Sequence, residues 1–143
     1  TGEAGLIVAV FGIGTFLYTR LAGLLLGLFG EKRLIAFGGA VLAIGLAGIA
    51  AAPGWWAVAL LQLPMGMAFY MFHGVLQARA TEALPESRAT AVSAFAMALF
   101  LGQSVGALGF GAVLHAAGYG AVFAGAAAVT AALATWVALT PAR

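Results

Sequence analysis

The sequence predicts an all-α, polytopic membrane helix bundle of five transmembrane helices. Three observations carry that expectation. Of 143 residues, 64% are hydrophobic and only 7% are charged, where soluble domains carry about 25% charged residues. The mean hydropathy is +1.12. The apolar residues fall in continuous runs long enough to cross a bilayer, which takes about 20 residues in helical form. Unpaired backbone amides are not tolerated in hydrocarbon, so such runs form helices or closed barrels. The runs do not alternate polar with apolar, which excludes a barrel.

The five spans follow from the punctuation between them, within a single transmembrane domain covering 1–143. The first runs over 5–29 and ends at Gly30-Glu31-Lys32-Arg33, read as a tight polar turn. The second runs over 34–51 and is broken by Ala52-Pro53-Gly54. The third, 55–78, opens on Trp55-Trp56, a pair suited to an interfacial aromatic belt. A polar loop from Arg79 to Ser87 leads to the fourth span, 88–114. His115-Ala-Ala-Gly118 is read as a short turn into the fifth, 119–140, which Pro141 stops. No basic n-region precedes the first run, so it is read as a true span rather than a signal peptide. Thr1 in place of an initiator Met suggests a segment of a longer protein.

Basic residues set the expected orientation. Lys32, Arg33, Arg79, Arg88 and Arg143 all fall on one side of a five-span arrangement. Glu3, Ala52–Gly54 and His115–Gly118 fall on the other, without Lys or Arg. The positive-inside rule makes the first side cytoplasmic, with the N-terminus outside and the C-terminus inside. Small residues four apart, Gly23 with Gly27, Gly102 with Gly106 and Ala121 with Gly125, are candidates for close helix contact. Plain tight packing is the simpler reading of each pair.

Several function classes fall away. The chain has no Cys and no Asp. Disulfides, thiolate metal sites and the common catalytic constellations are therefore absent from the expectation, and neither enzyme chemistry, a cofactor nor a metal is implied. A net charge of +2 is too small and dispersed for a nucleic-acid partner. The lipid bilayer is the expected partner.

Polar groups inside the spans are the candidate functional residues, because charge in a bilayer is costly. Arg20 lies nine residues before the end of its span, about 15 Å deep. Snorkelling toward the interface is the structural alternative. On the third span, Gln62, Gly66, Tyr70, His73 and Gln77 fall within a sector of about 80° at 100° per residue. Such a stripe faces protein or a water-filled cavity rather than acyl chains. As an imidazole, His73 is a candidate proton relay. The competing reading is an interhelical hydrogen-bond seam. Pro64 frees a backbone carbonyl and is expected to bend this helix. Gln103, among Gly102, Gly106 and Gly109, is suited equally to touching substrate or to hydrogen-bonding across the bundle.

Two loop segments resemble a known family. Gly23-Leu-Leu-Leu-Gly-Leu-Phe-Gly30-Glu-Lys32-Arg33 resembles the G-x-L-x-D-R-x-G-R-R/K signature of the major facilitator superfamily, which links its second and third helices and recurs between the eighth and ninth. Gly23, Leu25, Gly30 and Lys32 match; Gly27, Leu28 and Glu31 stand where the family has Asp, Arg and a basic residue. Tyr70 through Arg88, continuing to Phe100-Leu-Gly-Gln103, resembles the tenth helix, cytoplasmic loop and eleventh helix of bacterial sugar or drug efflux permeases. Their E-x-x-P-x-x-x-R loop maps to Glu82, Pro85 and Arg88, with one residue fewer before the Arg.

The resemblance implies a partial facilitator fold, helices eight to twelve of a twelve-helix permease in the bacterial inner membrane. It implies a secondary transporter coupling efflux of a small molecule to protons as an antiporter, with the missing N-terminal helices as partner. Gly23, Gly30, Lys32, Arg33, Glu82, Pro85 and Arg88 would form cytoplasmic gating loops. Arg20, Gln62, Tyr70, His73, Gln77 and Gln103 would line the substrate or proton pathway. The alternative is a non-transport scaffold whose small-residue faces bind partner helices.

Overall fold

A computed structural model describes residues 2–140. Its helices are α1 (Gly2–Ala50), α2 (Trp55–Glu82) and α3 (Arg88–Leu139), with a short 3-10 turn at Pro85–Ser87. The expected count of five separate helices is therefore not matched. Glu31, Lys32 and Arg33 are helical, as are His115 to Ala117. The two expected polar turns shrink to single glycines, Gly30 (φ 71°, ψ 164°) and Gly118 (φ 78°, ψ −180°). Both occupy a backbone region that is essentially glycine-only. One residue in that conformation redirects a helix with no intervening loop. The hydrophobic periodicity gives no hint of so short a break.

α1 and α3 are each two helical arms joined at that glycine. Along the first arm of α1, Gly14 approaches Leu63 to Met67 and Tyr18 packs on Met71, so the arm runs parallel to α2. Along the second arm, Gly38 meets Ala68 to Phe72, Gly45 meets Met65 and Gly48 meets Leu61, the reverse order. The chain therefore turns back at Gly30. In α3, Gly125 approaches Phe110, which folds 119–139 back along 88–117. Gly120 lies near Ala50 and Gly39 against Ala134, so the last arm runs antiparallel to the second arm of α1. Five rods thus alternate in direction.

Close packing explains part of the glycine content. A Cβ on Gly14 would overlap the Leu63 carbonyl, and one on Gly66 would overlap the Phe11 carbonyl. This mutual approach brings two backbones together, the small-residue contact that packs helices in lipid. Gly23, Gly27 and Gly102, picked out by spacing, face open space instead. Spacing marks a small face but not which face has a neighbour.

The core sits between α2 and the arms, where Ile35, Leu42, Met65, Ala68, Phe72, Val75, Ala134 and Val137 are buried. Outward, the chain shows bare apolar residues such as Leu108 and Leu139, both 79% exposed. An apolar exterior of this extent requires lipid or partner helices. Each of α1, α2 and α3 is long and apolar enough to cross a membrane. Trp55 and Trp56 at the start of α2 and Trp136 near the end of α3 are exposed, as belt residues would be. Pro64 does not break α2, which is continuous from Trp55 to Glu82. The polar loop expected at Arg79–Ser87 narrows to Ala83-Leu84 and the 3-10 turn, since α2 runs on to Glu82. Thr1, Pro141 and Arg143 lie outside the described residues.

Candidate functional site

α2 places His73 in the middle of an aromatic cluster that draws on three arms. Its ring stacks on Phe69, one helical turn earlier, at 5.2 Å between centroids and 9° between planes. Tyr70 meets it edge-on at 6.3 Å. From the first arm of α3, Phe95 approaches to 5.4 Å. From the first arm of α1, Phe11 packs on Phe69 at 5.9 Å. The i, i+3 and i, i+4 spacing of Phe69, Tyr70 and His73 puts all three on one face of α2. These centroid distances lie in the attractive range for aromatic pairs. The imidazole is half-buried, and Tyr70 remains 42% exposed. The result is a polar, titratable ring set in an aromatic surface that is partly open.

The predicted stripe on α2 divides. Tyr70 and His73 meet in the cluster. Gly66 is buried against Phe11 and Thr15 and serves packing. Gln62 is half-buried toward the opposite end of the helix. Gln77 is exposed and shares a groove with Gly74, Thr81, Glu82 and Arg88. Gln103 stands in a separate shallow groove on α3 with Gly102, Gly106 and Phe110. Arg20 is exposed on the first arm of α1, with its guanidinium carbon 5.1 Å from the Phe16 ring centre. No ring contact or hydrogen bond among the described residues joins Arg20 or Gln103 to His73.

Several hydroxyl groups along the arms are satisfied within their own helices. Thr15 donates to the Gly12 carbonyl at 2.7 Å, Thr19 to Thr15 at 2.9 Å and Ser104 to Phe100 at 3.0 Å. They therefore add little free polarity to any pathway.

One ion pair crosses the bundle among the described residues. Arg79 Nε donates to Glu31 Oε2 at 3.4 Å, linking the last turn of α2 to the residue after Gly30. Arg79 Nη2 is buried without a partner. Lys32 and Arg33 are exposed beside this pair. Arg33 also borders an apolar cavity of about 230 Å³ with Leu25, Phe29, Leu34, Phe37 and Met71. The loop carrying Pro85 brings Glu82 and Arg88 to the same end. Gly23 faces open space one arm away.

Comparison with known proteins decides the family. The family model described as Major Facilitator Superfamily matches residues 1–143. The chain belongs to the major facilitator superfamily. It is accordingly a multi-pass membrane protein of a transporter family. No curated protein matches it, and no solved structure does. In this facilitator, Glu31 pairs with Arg79 across the bundle.

Sequence reasoning missed Phe11, Phe69, Phe95 and the partnership of Glu31 with Arg79. Phe69 was accessible, since it stands four residues before His73. Phe11 and Phe95 were not, because nothing in a single sequence gives the register between arms. Glu31 carried a signal: it is an acid at a signature position where a base is expected, with Arg79 the nearest basic residue of the following polar segment.

Proposed function

We propose that this facilitator is a proton-coupled efflux transporter for a small sugar- or drug-like molecule, and that His73 is its proton-responsive group. The observation carrying this reading is the aromatic cluster around His73, which places a titratable ring in a partly open surface shared by three arms. Tyr70 and His73 form the core of the pathway, with Gln77 below and Gln62 above along α2. Gln103 lines a second stretch on α3. The basic end, with Gly30, Lys32, Arg33, Glu82, Pro85 and Arg88, gates the cytoplasmic side, and Gly23 stands about two turns before it on the first α1 arm.

The five alternating rods are read as five passes, corresponding by loop resemblance to helices eight to twelve. They sit in a bacterial inner membrane with the basic end cytoplasmic, the N-terminus outside and the C-terminus inside. The helices that complete the alternating-access machine come from the same transporter. Two halves rocking around a midplane site is the mechanism such folds support.

The experiment is substrate-driven proton movement in vesicles carrying the complete transporter, with ethidium as drug-like probe and a methyl glucoside as sugar probe. His73→Ala should abolish proton movement and lower uptake about tenfold or more. Unchanged transport and unchanged coupling in His73→Ala would sink the assignment.

A further inference from the structure

We infer that the face of the first α1 arm centred on Arg20 is a docking surface for a transmembrane helix that carries a carboxylate at mid-membrane depth. The reasoning starts from where Arg20 points. At 100° per residue, Gly5, Gly12, Phe16, Arg20, Gly23 and Gly27 fall within about 80° of one another. All six are exposed. Gly14 and Tyr18, which pack on α2, lie on the opposite side of the same rod.

Depth and direction follow from the stacking partner. Arg20 lies ten residues before Gly30, about 15 Å along the rod. Its guanidinium sits over Phe16, one turn farther from that end. The side chain therefore leans toward the middle of the span rather than snorkelling to the nearer interface.

The chain supplies no countercharge at that depth. Its four acidic residues are Glu3, Glu31, Glu82 and Glu86. Each stands near a rod end, and Glu31 is engaged by Arg79. A mid-membrane Arg is paired or faces a polar cavity in membrane proteins, and on this smooth glycine face a partner bearing an anion supplies the missing charge. A lipid phosphate stays at the interface. A second copy of this chain would set Arg20 against Arg20 in a symmetric pair. The four glycines, at each of which a Cβ would meet nothing within 4 Å, leave a smooth groove that admits a helix backbone at short range. Charge complementarity and groove shape together favour a helix bearing Asp or Glu.

The test places the chain in phosphatidylcholine vesicles, labelled as a fluorescence-transfer donor. The probes are synthetic 20-residue Leu/Ala transmembrane peptides with a single central Asp, Leu or Lys. The Asp peptide should associate at least about threefold more tightly than the Leu peptide, the scale of one good polar contact in lipid. The Lys peptide should associate least, and Arg20→Leu should erase the Asp preference. Gly23→Leu should weaken the Asp peptide's binding by closing the groove. Equal binding of the Asp and Leu peptides to the unaltered chain overturns the inference without reference to any variant. Survival of the Asp preference in Arg20→Leu overturns it too. Self-association as tight as Asp-peptide binding would make the occupant a second copy. Binding of decanoate at Arg20 without Asp-peptide binding would make it a small anion. Either result discards the helix.

Discussion

Arg79 and Glu31 form an ion pair, Nε to Oε2 at 3.4 Å, that ties the end of α2 to the residue following the Gly30 reversal. The pair is partly covered, with side-chain exposures of 21% and 41%. Both residues belong to the basic end of the bundle, so the contact links two neighbouring rods there.

Removing that carboxylate should therefore loosen the basic end. Glu31→Gln is expected to cost about 1 kcal/mol or less, the range for a half-exposed pair. Arg79→Gln should cost a similar amount, and the double variant little more than either alone. A double-mutant cycle by thermal unfolding in detergent measures this. Full additivity of the two losses would mean that the pair contributes no coupling.

The two reversals should be intolerant of any side chain. Gly30→Ala and Gly118→Ala each force a Cβ into a glycine-only backbone region, at a cost of about 1–3 kcal/mol. Gly74→Ala on α2, where a Cβ meets nothing, should be neutral or stabilising, since Ala favours a helix interior by about 0.5–1 kcal/mol. Unfolding temperatures of the three variants check the contrast. Equal behaviour would contradict the hairpin geometry.

Close backbone approach makes a third contrast. Gly66→Ala should destabilise by about 1–3 kcal/mol through overpacking against the Phe11 carbonyl. Gly109→Ala, in open space, should not. The same unfolding assay separates them.

Much of the fold was legible in the sequence because hydropathy and helical period are local. The apolar runs and the break at Pro53-Gly54 could be read, whereas the glycines picked out by spacing, Gly23, Gly27 and Gly102, are not the ones that meet a neighbour. The reversals at Gly30 and Gly118 were misjudged in form. A left-handed glycine turns the chain in one residue, and the flanking polar residues stay helical. In the candidate site, Tyr70 and His73 were legible through their shared face on α2. Phe11 and Phe95 were hidden, since the register of one rod against another is set by packing over the whole bundle. Arg20 was visible as an anomaly, but not the direction in which its guanidinium leans.

The aromatic cluster makes a fourth prediction. Phe95→Ala removes the α3 ring from His73 and should lower transport about threefold to tenfold while leaving insertion intact. Its effect should overlap with that of Phe69→Ala rather than add to it, because both act on one imidazole. Transport rates of the single and double variants in vesicles measure the overlap. Independent effects would mean that the rings do not act together.

The five-pass proposal, with reversals at Gly30 and Gly118, is the part most directly open to test. The absence of native Cys makes single-cysteine labelling by a membrane-impermeant maleimide direct. Cysteines at Lys32 and Glu86 should label from one side only, and those at Pro53 and Ala117 from the other. If α1 and α3 instead crossed once each as unbroken rods, Lys32 and Ala117 would sit within the bilayer and resist labelling from both sides, and that result would contradict the account.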